Sequence, residues 1–99
     1  MVVGVLVCDL RLGDVQSLKE KRSVVRPIVS DLRRKFQVAA AETGDSDRHR
    51  QAEIGVALVS STHRHAVEVL ERCERLVAGR PDIELLAARL RVLDDDDLD

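Results

Sequence analysis

Aromatic side chains are almost absent from this chain of 99 residues, which has one phenylalanine and neither tryptophan nor tyrosine. Sheets that bind single-stranded RNA stack its bases on exposed aromatic rings, so this mode of recognition is excluded. The core must be built from Val, Leu, Ile and Ala instead. An apolar content of 44% is enough for one modest core, so we expect a single domain over residues 1–93.

Cysteines and long apolar runs are also scarce. Cys8 and Cys73 are too few for a disulfide framework, and each lies in an apolar pattern, so we expect two buried thiols in a reducing compartment. The apolar residues 1–7 are too short to cross a bilayer, and Asp9 and Arg11 follow them at once, unlike in a signal peptide. We therefore expect a cytoplasmic protein without membrane contact.

Motifs for catalysis or cofactor binding are missing. The five glycines lack the spacing of a phosphate loop, and no serine lies in a nucleophile elbow. His63 and His65 would point about 160° apart on a helix, whereas zinc needs three or four converging ligands. Asp9, Glu42 and Glu53 could form a carboxylate set, but ordinary charges at strand ends explain them as well. We expect no enzymatic activity, no cofactor and no metal.

Apolar periodicity predicts six elements in the order β-α-β-β-α-β. Strands are predicted at residues 2–12, 37–42, 53–60 and 83–93, and helices at residues 18–36 and 63–78. Ser17 and Glu20 form a capping box for the first helix, and Thr62 can cap the second. Pro27 predicts one helix with a defect around Ser23. The order predicts an α+β, ferredoxin-like split βαβ fold: a four-stranded antiparallel sheet with both helices on one face.

The spacing of apolar residues predicts the buried faces of the first helix and the last strand, and the composition of the last six residues predicts a tail. The predicted stripe of the first helix consists of Leu18, Val25, Ile28, Val29, Leu32 and Phe36. The residues of the last strand predicted to share one face are Leu86, Ala88, Leu90 and Val92. Five of the last six residues are acids, which predicts a disordered acidic tail over residues 94–99.

Basic residues concentrate around the first helix. Between Arg11 and Phe36, eight basic residues stand against three acids. Four of them fall within about 60° of one another at ~100° per residue: Lys19, Arg22, Arg26 and Arg33. Several long cationic side chains in a row suit the phosphate backbone of a nucleic acid. Together with the adjacent Lys21, these residues form a predicted nucleic-acid-binding surface, although any amphipathic helix also has a charged face.

The first strand is apolar on both faces. Val3, Val5 and Val7 have the parity opposite to the residues that should face the helices. An uncovered apolar sheet face usually marks a protein interface, so these valines predict a homodimer interface. The alternative is that long side chains such as Arg89 and Arg91 lie over them.

Several segments together resemble the bacterial YlxP-like family of small domains, whose function is not established. They are Val3-Gly4-Val5-Leu6, Ser17-Leu18-Lys19-Glu20-Lys21-Arg22-Ser23-Val24-Val25-Arg26, Leu32-Arg33-Arg34-Lys35-Phe36-Gln37-Val38 and Ala41-Glu42. The resemblance covers about residues 2–93 and implies a ferredoxin-like fold. It also implies a gene among those for translation initiation factor two and ribosome-binding factor A. One departure is His49, which stands where the family often has an aromatic residue.

Two functions are therefore expected as alternatives. The first is an RNA- or ribosome-associated factor in ribosome biogenesis, whose partner is ribosomal RNA or a translation or assembly factor and which binds through the basic helix. The second is a homo-oligomeric protein-interaction or small-ligand regulatory domain that uses the apolar sheet face or the 43–51 loop.

Overall fold

The computed structural model describes residues 1–44 and 47–98 and has the expected order of elements. The elements are β1 (Val2–Leu12), α1 (Leu18–Phe36), β2 (Ala39–Thr43), β3 (Gln51–Ser60), α2 (His63–Ala78) and β4 (Ile83–Asp94). The strands form one antiparallel sheet in the order β2-β3-β1-β4. This topology confirms the predicted ferredoxin-like fold, with β2 and β4 at the edges.

Helix α1 begins at the predicted capping box. Ser17 is extended, and its Oγ accepts a hydrogen bond from the Glu20 backbone N–H at 3.2 Å. The Glu20 carboxylate accepts a hydrogen bond from the Gln16 backbone N–H at 2.8 Å, one residue before the N-cap N–H that the expected capping box would use. The helix continues past Pro27 and ends at Gln37, whose φ of 54° is left-handed. The prediction of a single helix is therefore confirmed, whereas the break expected around Ser23 is not seen, since the helix is continuous over Leu18–Phe36.

The core lies between the helices and one face of the sheet. The even-numbered residues from position 6 to position 12 of β1 face it and are at most 2% exposed: Leu6, Cys8, Leu10 and Leu12. Gly4 allows α2 to approach β1, because a Cβ atom there would lie 2.8 Å from Leu70 Cδ1. Burial raises the pKa of the Cys8 thiol to about 12 and that of the Cys73 thiol to about 11. Both thiols are buried, as expected.

Two residues predicted for the core are exposed instead. Leu18 is 36% exposed and Leu86 is 43% exposed. The pairing of β1 with β4 shifts by one residue between Asp9 and Leu10, so Leu86 has no partner in β1 and turns out of the core. At the start of α1, the buried position belongs to Lys21, which is 1% exposed. The predicted parity of β4 is therefore wrong at Leu86, and the predicted stripe of α1 is wrong at Leu18.

The hairpin and the tail also differ from the prediction. β2 begins two residues later than expected and includes Thr43, and β3 begins two residues earlier, at Gln51. Residues 45 and 46 of the predicted loop, and Asp99 of the predicted tail, lie outside the described residues. The rest of the tail is structured, since β4 includes Asp94 and a 3₁₀ helix spans Asp95–Leu98. The acidic side chains there accept backbone hydrogen bonds within the turn.

An ion-pair cluster joins α1 to the turn after α2. The Asp31 carboxylate accepts hydrogen bonds from Arg80 and, at 2.7 Å, from Arg34. The hydrogen bond from Arg80 is the main reason that the pKa of Asp31 is lowered from its ordinary value. The carboxylate therefore favours the folded state while it is ionised.

Asp31→Asn is expected to make the protein less sensitive to acid. Because the pKa of Asp31 is lower in the folded state, its stabilisation is present above the ordinary value of 3.8 and is lost as the pH falls through the folded pKa. Urea midpoints from pH 7 down to about pH 2 should fall more steeply for the wild type and converge with the variant in acid. Asp82→Asn serves as the control, since Asp82 is exposed. Parallel pH profiles for wild type and Asp31→Asn would contradict this role.

Candidate nucleic-acid interface

The exposed face of α1 carries a row of three cations. Lys19, Arg22 and Arg26 are all exposed, and none of them forms an ion pair with another described residue. They follow one another at spacings of about 4.5 Å and 6 Å along the axis, at a rise of ~1.5 Å per residue. We call these three residues the α1 row. Their charged groups are available to an anion in solvent.

Helix α2 shows that such a row is not inevitable on this fold. Its exposed arginines, Arg64, Arg72 and Arg75, lie on one helix face with Glu68 and Glu71. Each arginine has a glutamate four residues away, a spacing at which opposite charges attract on a helix. The charged face of α2 is therefore compensated, whereas the α1 row contains no acid. This contrast favours a binding role for α1 over a merely solvated face.

Arg33 extends the α1 row along the edge of the sheet. Its Nε donates a hydrogen bond to the Ala40 carbonyl of β2 at 2.9 Å. With Arg22 and Arg26 it lines a groove of 480 Å³ between α1 and β2. Three arginines therefore line one groove beside an edge strand, together with Glu42, which is paired with Lys21.

Lys21 does not belong to this surface. The structure therefore corrects its assignment to the predicted nucleic-acid-binding residues. Its side chain is buried, and its Nζ donates a hydrogen bond to the Arg48 carbonyl at 2.7 Å. The same Nζ lies 2.9 Å from Glu42 Oε2. That contact is an ion pair without hydrogen-bond alignment, since Glu42 Oε2 is buried and accepts no hydrogen bond of good geometry. Lys21 therefore joins α1, β2 and the loop before β3.

The three candidate carboxylates are not brought together. Asp9 and Glu53 are cross-strand neighbours. Arg89 Nη1 lies 2.6 Å from Asp9 Oδ2, and Arg89 Nη2 lies 3.8 Å from Glu53 Oε1. Glu42 pairs with Lys21 on the other side of the sheet. Within residues 1–44 and 47–98, no three His, Cys, Asp or Glu side chains are placed to hold a metal ion. No helix in this part of the chain has the length and apolarity that a membrane span needs.

The sheet face opposite the helices, here called the open face, is apolar at its centre. Val3, Val5 and Val7 lie on it, half-buried, at the predicted parity. The residues beside Val5 and Val7 on β2 and β3 are small: Ala39, Ala41, Gly55 and Ala57. Together with Val5 and Val7 they line a shallow groove of 670 Å³. Val3 instead pairs with Val59, which is 66% exposed. Arg89 and Arg91 are the β4 neighbours of Val7 and Val5, and Arg89 forms an ion pair with Asp9.

Fold and surface together define a small ferredoxin-like α+β domain with a basic helix on one side of the sheet and an apolar face on the other. The chain belongs to the family described as proteins of unknown function, DUF503, which it matches over residues 3–90. It is 32% identical over 88 residues to the uncharacterized protein YlxP of Bacillus subtilis (strain 168), covering 89% of this chain and 96% of that protein. The resemblance inferred from the sequence is thereby confirmed.

Solved structures show the same architecture at low sequence identity. A de novo designed protein with a ferredoxin fold, determined by NMR, superposes with a TM-score of 0.53 and 14% identity, covering 96% of this chain and 87% of that one. Rv0793 from Mycobacterium tuberculosis superposes with a TM-score of 0.53 and 12% identity, covering 95% of this chain and 94% of that one. These likenesses concern the fold alone.

Proposed function

We propose that this protein is a non-catalytic, RNA- or ribosome-associated factor that binds the phosphate backbone of structured RNA through α1. The observation that carries the proposal is the α1 row, three exposed cations with no acid among them. Such side chains replace the counterions condensed on a phosphate backbone, and the release of those ions drives binding. Arg33, at the end of the adjoining groove, supplies a fourth cation.

The absence of exposed rings favours contacts to the backbone over base recognition. Phe36 is half-buried against the core, and the open face presents no aromatic side chain. Long cationic side chains contact phosphates whatever the base sequence, so binding should be largely independent of sequence. The gene neighbourhood that the family resemblance implies makes ribosomal RNA the first natural RNA to test.

Reversing the α1 row is expected to abolish RNA binding. Lys19→Glu/Arg22→Glu/Arg26→Glu should weaken binding to a fluorescein-labelled RNA duplex of about 20 base pairs by roughly 100-fold in low salt. The slope of log K against log salt should fall by about three, one for each phosphate that the variant no longer neutralises. Fluorescence anisotropy across a salt series measures both quantities.

The matched control reverses the three arginines of α2. Arg64→Glu/Arg72→Glu/Arg75→Glu changes the net charge by the same amount on an equally exposed helix face. Circular dichroism checks that both variants fold. If the two variants weaken binding equally, the interaction follows net charge and the proposed site is wrong.

The open face supports a second candidate function, a protein-interaction domain that forms a homodimer. Its valines form a ridge on β1, and the alanines and glycine of β2 and β3 form a groove beside that ridge. A two-fold axis parallel to the strands would place the ridge of one copy over the groove of the other, as a self-complementary interface requires. This surface and the α1 row lie on opposite sides of the sheet, so the two candidates are compatible.

A further inference from the structure

We infer that the loop of residues 47–50 is a second part of the phosphate-binding surface and that Lys21 is the positioning residue that holds it there. The inference rests on the proposed RNA binding. It extends the site from one helix face to a concave junction between α1 and the entry to β3.

The loop is attached at both ends by main-chain carbonyls. Lys21 Nζ donates a hydrogen bond to the Arg48 carbonyl at 2.7 Å, and the Leu12 backbone N–H donates one to the Arg50 carbonyl at 2.9 Å. Because the carbonyls provide the attachment, the loop side chains are left to face outward. His49 and Arg50 are accordingly exposed.

The attachment is made by a buried ion pair, which is not the most stable way to fill a core. Burying two charges costs more in lost hydration than their attraction often returns, and apolar replacements of such pairs are commonly neutral or stabilising. Stability alone therefore does not account for a lysine at position 21. An ammonium group can do what an apolar chain cannot: it holds a backbone carbonyl of the loop in one place.

The loop then borders an open cavity in front of the capped end of α1. The cavity has a volume of 570 Å³, and its walls include Gln16, Asp47, Arg48, His49 and Arg50. It has room for a phosphodiester group with its sugar, and two arginines and a histidine stand against one acid. Residues from two separate segments thus converge next to the helix that carries the α1 row. A duplex backbone lying along α1 would reach this cavity with its next phosphates.

The test uses separate variants for a cation of the loop and for the ion pair that anchors the loop. Arg50→Gln removes one exposed cation of the loop, whereas Lys21→Met/Glu42→Leu removes the anchor and leaves the net charge unchanged. Both variants, their combination and wild type are titrated with the same 20-base-pair RNA duplex over a salt series. Arg75→Gln on α2 is the control for the loss of one exposed charge.

We expect Arg50→Gln to weaken binding about 5-fold and to reduce the salt slope by about one. The charge-neutral Lys21→Met/Glu42→Leu variant should lose at least as much, because the loop no longer holds its position. Adding Arg50→Gln to it should then change little, the non-additivity expected of residues that act through one another. Arg75→Gln should bind as the wild type does.

The outcomes distinguish this inference from the proposed function. If the wild type does not bind the duplex, the proposed function is wrong and this inference fails with it. If reversing the α1 row weakens binding but Arg50→Gln does not, the loop does not contact the RNA and the proposed function stands. If Arg50→Gln weakens binding but Lys21→Met/Glu42→Leu, folded by circular dichroism, does not, Lys21 has no positioning role. Arg50 is exposed, so its variant remains informative even if the core variant unfolds.

Discussion

Lys21→Met is expected to lower the free energy of unfolding by about 3 kcal/mol, because breaking a buried ion pair leaves an unpaired charge behind. The substitution keeps the length of the side chain but removes the partner of Glu42 and the donor to the Arg48 carbonyl. We take the lower end of the usual range because the Glu42 side chain is 24% exposed and can partly regain water. A small domain has only about 5–15 kcal/mol of stability in total. Urea denaturation followed by circular dichroism is the measurement, since the chain has no tryptophan or tyrosine to report by fluorescence.

Two variants make this result specific to the buried pair. Lys19→Met makes the same chemical change on the exposed face and should alter stability by less than about 0.5 kcal/mol. Lys21→Met/Glu42→Leu removes both charges and should recover most of the loss. Equal stabilities for Lys19→Met and Lys21→Met would show that the ion pair does not hold the junction.

Val5→Glu is expected to dissociate the proposed homodimer into monomers. Val5 lies at the centre of the open face, between Ala57 of β3 and Arg91 of β4. A second sheet stacked there would bury the new carboxylate together with the neighbouring Arg91, and burying charges costs more in lost hydration than their attraction often returns. Sedimentation equilibrium should give twice the chain mass of 11.0 kDa for the wild type and the single chain mass for the variant.

Two control variants test whether the effect depends on the open face and whether it depends on changing the central strand. Leu18→Glu introduces the same charge at an apolar residue of α1 that is 36% exposed, away from the open face, and should leave the dimer intact. Ala57→Glu places the charge on the neighbouring strand and should dissociate the dimer without touching the central strand. A wild type that sediments as a monomer at about 100 µM, well above the Kd expected of a specific dimer, or a dimer that survives both open-face variants, would refute the interface.

Local signals were enough to predict the elements of this fold. Ser17 and Thr62 both cap helices as expected, because a cap is defined by residues within one turn of each other. Residue parity correctly placed Val3, Val5 and Val7 opposite the core. The bulge that exposes Leu86 was not predictable, since it depends on the register of two strands far apart in the chain.

Lys21 shows where reading the sequence by residue type misleads. It precedes Val25 by four residues and Ile28 by seven, so its position is on the buried stripe, while its charge suggests solvent. Its partner Glu42 lies 21 residues further along, on a different element, and no local pattern connects the two. The exposed set of Lys19, Arg22, Arg26 and Arg33 was predictable because both their spacing and their residue type indicate the same face.

The Arg33 side chain has a consequence for the exposed edge of the sheet under the proposed phosphate binding. A guanidinium group carries five N–H donors in a flat fork, and the bond to the Ala40 carbonyl uses only the one at Nε. The remaining donors can point at a phosphate without breaking that bond. One side chain can therefore shield β2 from pairing with a strand of another molecule and contact a ligand at the same time. Occupying the groove would not uncover the sheet edge, so binding and resistance to aggregation need not compete.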